Sequence, residues 1–175
     1  VTVNELGTLH QAISATLSAG MPQLRHVEAF ALPDENTALP ALMHTLTGMR
    51  PGVDPGDGRT CVNASFEARI LVSKARQQAS LEAMTLAAQL TALLRQQFWS
   101  LGFVDAISQV QARPSAIPAE VPGTLEWRVQ WQQPVYLGDL QWPWPDQPPG
   151  SLLFAFSPDT GPAHKDSYQA PEDMA

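Results

Sequence analysis

Three stretches of the sequence predict an α+β fold, a mainly antiparallel sheet of about four strands carrying a long helix and an N-terminal helix, with a Pro-rich C-terminal arm. Residues 63–73 alternate, with Phe66, Ala68, Ile70 and Val72 to one side and Ser65, Glu67 and Arg69 to the other. A period of two is that of a strand with one buried face. Residues 125–132 repeat the pattern, with Leu125, Trp127, Val129 and Trp131 opposed to Glu126, Arg128, Gln130 and Gln132. Between these stretches, Ala83, Leu86, Leu90, Leu93 and Leu94 recur at intervals of three and four on an Ala-rich background, which predicts a helix over about 79–98.

The remaining elements follow in order. Leu6, Leu9, Ile13 and Leu17 have helical spacing, with Asn4 placed to cap the start and Gly20 and Pro22 placed to end the helix. Imperfect alternation over 24–32 reads as a strand closed by the turn residues 33–36, and a short helical stretch is expected near 41–47. Residues 50–60 are too rich in Gly and Pro for a regular element and read as an exposed loop. Val104, Ala106, Ser108 and Val110 alternate before Arg113-Pro114 interrupts them. That strand and the one at 125–131 are close enough in sequence to pair antiparallel. Residues 1–138 are thus expected to form the domain and 139–175 the arm, because seven of the sixteen prolines fall after Gly138 and the apolar cluster Leu152, Leu153, Phe154 and Phe156 is short.

With 175 residues the chain suffices for one ordinary core without staples. Cys61 is the single cysteine, which excludes an internal disulfide and suits a reducing compartment. The first residues are not basic and no long apolar run follows, so a cytosolic protein without a membrane segment is expected. A net charge of −7 is the wrong sign for holding phosphate backbones. The acidity is concentrated in the arm, where Lys165 stands against Asp139, Asp146, Asp159, Asp166, Glu172 and Asp173.

No constellation of catalytic residues is legible, and no cofactor is expected. Gly52, Gly56, Gly58, Arg59 and Thr60 approximate a phosphate-binding loop, but the glycine spacing is one residue too long, Arg59 stands where lysine is required, and a strand follows instead of a helix. Asp54 and Asp57 are too few for a calcium loop. His10, His26, His44 and His164 are scattered singly, which predicts neither a metal site nor a nucleophilic triad. Glu67, Arg69, Glu126 and Arg128 occupy alternate positions of two strands, where they form either a solvated charge lattice or a subunit interface. Trp127 and Trp131 are expected in the core. Trp142 and Trp144, in a stiff Trp-Pro-Trp-Pro segment, are either contact anchors or fold back on the domain. The candidate interface therefore comprises Asp54, Asp57, Arg59, Glu67, Arg69, Glu126, Arg128, Trp142 and Trp144.

The amphipathic opening helix, the strand at 66–72, the Ala-rich helix ending in Phe98-Trp99, and Trp127-Arg128-Val129-Gln130-Trp131 running into Val135-Tyr136-Leu137-Gly138 together resemble a family. It is the phage tail terminator proteins, also called tail completion or head-tail joining proteins, of long-tailed bacteriophages and Mu-like prophages. The resemblance covers about 4–138 as a pattern of elements. It implies a homo-oligomeric ring, usually a hexamer, that caps the tail tube, ends its polymerisation and offers a surface to the filled head. The implied partners are further copies of the chain, the tail tube protein and a head-tail connector protein, with DNA passing through unbound. The implied location is the head-tail interface of the virion, after assembly in the host bacterial cytoplasm. The rival readings are another connector or tail tube component, and a small ligand-binding module or enzyme with a pocket between helix and sheet.

Overall fold

The computed structural model describes residues 4–116, 119–141 and 152–173. It divides into two compact units, Val1–Pro55 with Thr60–Gly138, and Gly56–Arg59 with Asp139–Ala175.

Among the described residues the first unit holds the α-helices and the strands of the sheet, and its architecture is α+β. Helix α1 (Asn4–Gly20) is followed by strands β1 (His26–Ala29), β2 (Ala41–Pro51) and β3 (Thr60–Ser73). Helix α2 (Ala79–Leu94) and strands β4 (Ser108–Pro114) and β5 (Thr124–Leu137) complete it. The five strands lie in the order β1-β2-β3-β5-β4. All neighbours are antiparallel except β1 and β2, which run parallel.

Both helices supply apolar residues to the core under one face of the sheet. Leu9, Ile13 and Leu17 of α1 and Ala83, Leu86, Ala87, Leu90 and Leu94 of α2 are buried against Leu42, Phe66, Ala68, Ile70, Val72, Val129, Trp131 and Val135. Phe66 and Trp131, directly opposite each other on β3 and β5, stack with ring centroids 5.3 Å apart. Such a cross-strand aromatic pair adds to the area it buries. Trp127, two steps along the same face beyond Val129, is only partly buried.

Several expectations are corrected. Residues 41–47 are not helical, because Leu42, His44 and Leu46 alternate inward along a strand that pairs with β3. Arg50, Pro51 and Thr60 belong to strands, so the connection between β2 and β3 covers only 52–59. Helix α2 stops at Leu94, since Gln96 takes a positive φ of 58° and the chain turns to carry Trp99 into the core. There the Trp99 indole donates a 2.7 Å hydrogen bond to buried Gln133. Strand β4 begins at Ser108 instead of Val104, which makes only an isolated bridge to Val135. The second unit contains short 3₁₀ turns at Pro162–Ser167 and Pro171–Asp173 and a bridge between Phe154 and Gln169.

Candidate functional site

The sheet face turned away from the helices is the chemically distinctive surface of the first unit. At its end near the start of β2, Ala41, Met43 and Leu71 form a small apolar cluster with Ala31, Leu39 and Val121. Beyond this the register sets Arg69 directly opposite Arg128 and Glu67 opposite Gln130. Two arginines in register repel each other. Glu126 relieves this by accepting from Arg69 and from Arg128, both at 2.8 Å.

The chain of charges continues outward. Arg128 lies 3.6 Å from Glu67, whose other oxygen accepts from Gln130 at 2.7 Å, and Arg69 reaches Glu120 at 3.3 Å. Arg113 donates to Gln130, and Arg50 to Gln132 at 2.7 Å. The four residues Glu67, Arg69, Glu126 and Arg128, expected from their alternate spacing, are therefore brought together in one lattice. Their proximity follows from the β3-β5 register, which alternation alone does not specify.

The electrostatics of the lattice centre on Glu126, whose side chain is 1% exposed. Burial pulls its carboxyl upward, but the hydrogen bond and charge of Arg69, and then of Arg128, outweigh burial and hold it below the usual carboxylate range. The hydrogen bond to Glu126 in turn raises the Arg69 guanidinium, although burial opposes it. Arg50, Arg69, Arg113 and Arg128 face Glu28, Glu67 and Glu126 on the strands of this surface, a local balance of +1 in a chain of −7.

The remaining expected residues are placed elsewhere. Asp57 and Arg59, in the second unit, pair with each other at 2.6 Å, and that hydrogen bond is the main reason the Asp57 carboxyl sits below its ordinary range. Asp54 is an exposed residue of the first unit. Trp142 and Trp144 lie outside the described residues.

One constellation escaped the sequence. His10 of α1 and His44 of β2, both buried, stack with ring centroids 5.5 Å apart. His44 Nε2 shares a 2.7 Å hydrogen bond with Ser14 Oγ, while His44 Nδ1 and both ring nitrogens of His10 find no partner among the described residues. Burial, and secondarily repulsion from His10, lowers the His44 pKa to about 4, and burial also lowers that of His10. A serine against a histidine is the nucleophile and base of a triad without its orienting acid, but an imidazole this acidic is a weak general base near neutral pH. The available signal was that His10 shares the inward side of α1 with Leu6 and Ile13, and that His44 alternates with Leu42 and Leu46.

Both edges of the sheet are open over part of their length. Strand β1 pairs with β2 only at 41–44, and among the described residues no strand pairs with the outer side of β2 beyond that point or with the outer side of β4. Among the described residues no group of three His, Cys, Asp or Glu side chains is placed to hold a metal ion, and no helix is long and apolar enough to cross a membrane.

No family model matches the sequence. No curated protein matches it either. One solved structure, whose title describes no function, aligns with 79% of this chain and 99% of its own, at 17% identity and a TM-score of 0.45.

Proposed function

We infer that the protein is a structural assembly subunit of the phage tail terminator kind, forming a ring that caps a tail tube, ends its growth and joins it to the head. The observation that supports this reading best is the sheet itself. One face is sealed by two helices, while the other carries an ordered lattice of Glu67, Arg69, Glu126 and Arg128 between open edges. A face built this way suits protein contact, because an interface rewards pre-ordered polar groups whose positions complement a partner.

The charge distribution supports the same reading. The arginines of the open face are already engaged by Glu67, Glu120, Glu126, Gln130 and Gln132, so they compete poorly for phosphate. The excess negative charge falls in residues 139–175 of the sequence, and acidic groups repel a passing duplex and so allow movement without binding.

The test is the native mass of the purified protein over a concentration series, followed by negative-stain images with and without isolated tail tubes. Closed rings, alone or on tube ends, are expected. A strict monomer or dimer indifferent to tubes would overturn the reading. Long tubes formed by the protein alone would replace it with that of a tube component.

A further inference from the structure

We propose that copies of this chain join head to tail by adding β4 of one copy to the open half of β2 of the next, with Phe30 of the second copy seated against the apolar walls of a pocket at the end of β4. The proposal deepens the ring reading by naming the contact from which such a ring is built. Its first basis is the match between the two free edges. The unpaired part of β2 spans residues 45–51 and β4 spans 108–114, so each offers seven residues. Strand β2 is antiparallel to β3, β3 to β5 and β5 to β4, which makes β4 antiparallel to β2. Two copies facing the same way therefore meet with the polarity an antiparallel ladder needs.

The second basis is that each edge, although it carries one β-bulge, lacks the other usual protections. Edge strands avoid association through lysines, inward-pointing charges or mid-strand prolines. Neither edge carries a lysine, and Pro51 and Pro114 sit at strand ends, where they cost no ladder interior. The charged side chains, Arg50 and Arg113, are folded back onto Gln132 and Gln130 of β5 in their own sheet.

The third basis is an apolar knob and hole at corresponding places. Strand β1 stops where Phe30 donates its backbone N–H to His44, so an added β4 would lie end to end with β1 along β2. Its Pro114 end would then meet Phe30, which is 62% exposed, and Leu32, which is 77% exposed. Just there β4 leads into a pocket of about 500 Å³ whose apolar walls are Met84, Pro114, Ala116, Leu125 and Trp127, with Lys74 and Glu126 also lining it. Knob and hole lie on the same side of the sheet, since the Phe30 ring packs tilted against His10 of α1 with centroids 4.2 Å apart and Met84 belongs to α2.

In this arrangement Gln111 lies opposite Gly48 and, because Thr47 is passed over at the bulge of β2, Arg113 lies opposite Thr45, all four on the open face. Thr45 is level with Gln130 through Glu67, whereas Arg113 is level with Arg128. Each copy is thus displaced by two residues, about 7 Å, along the strands. A constant stagger of that kind tilts strands as a closed barrel requires, and a heterologous contact that closes by rotation gives a ring.

Oxidative cross-linking of mixed variants tests the contact. Gly48→Cys and Gln111→Cys place thiols on the same face at directly opposed positions, and a Cβ at Gly48 meets nothing within 4 Å. Paired strands bring their Cα atoms within the reach of a disulfide. A covalent dimer is expected in the mixture and not in either variant alone or in the wild type, whose single cysteine is buried. Phe30→Asp should weaken self-association at least tenfold while leaving the fold intact, because Asp tolerates the positive φ of 58° at this position. Rings without a mixed cross-link would overturn this contact and leave the ring reading standing. A mixed cross-link without rings or tube binding would do the reverse. A monomer with no cross-link, or unchanged association of Phe30→Asp, overturns the proposal.

Discussion

Acidification should unfold the protein partly through His44, and the size of the effect follows from its surroundings. In the unfolded chain this imidazole takes a proton near pH 6.5, but in the folded protein it does so only near pH 4. Between those values the unfolded state binds the extra proton and the native state does not. Stability contributed by the neutral ring is therefore complete above pH 6.5, declines as pH falls, and levels off once the native state also protonates near pH 4. The gap from 6.5 to about 4 corresponds to about 3 kcal/mol. The perturbation is His44→Leu, which keeps an apolar side chain in the buried site and removes the titration. Urea unfolding at pH 7.5, 6, 5 and 4 should show the wild type losing about 3 kcal/mol more than the variant across the series. His10 and Glu126 titrate in both proteins and largely cancel from the comparison. Parallel loss of stability in the two proteins would show that His44 is solvated or partnered in solution, and would refute the reasoning.

Two further outcomes concern the sheet. Glu126→Gln leaves Arg69 and Arg128 opposed in register without the shared carboxylate, and should cost about 3 kcal/mol in chemical denaturation. Glu120→Gln removes a carboxylate that is 57% exposed and should cost less than about 0.5 kcal/mol; equal effects would mean that Glu126 is not the centre of the lattice. Gly52→Ala introduces a Cβ against the Cys61 sulfur and 3.2 Å from the Cys61 carbonyl oxygen, at the point where Gly52 donates its N–H to that oxygen. A loss of about 1–3 kcal/mol is expected from thermal unfolding, with Gly52→Ala/Cys61→Ala recovering much of it.

Local periodicity carried much of this fold. The alternation of Phe66, Ala68, Ile70 and Val72, and of Leu125, Val129 and Trp131, exists because a strand with one face buried must repeat every two residues. The spacing of Leu86, Leu90 and Leu94 exists because a helix must keep one stripe inward. Residues 41–47 read as helix in the sequence because a short apolar run carries no decisive period, whereas their strand state is imposed by pairing with β3. The parallel pairing of β1 with β2, and the displacement of β4 toward its C-terminal end, are likewise products of neighbours distant in sequence.

The candidate site divides along the same line. By itself the sequence determined that Glu67, Arg69, Glu126 and Arg128 point away from the core, since each alternates with buried apolar residues. Only the tertiary structure decided that Arg69 faces Arg128 with Glu126 between them, that His10 meets His44 and Ser14 in the interior, and that the free edges of β2 and β4 carry compatible polarity. The physical reason is that side-chain direction is a property of the local backbone. Strand order, register and helix placement come from the collective burial of one continuous core, to which no single segment holds the answer.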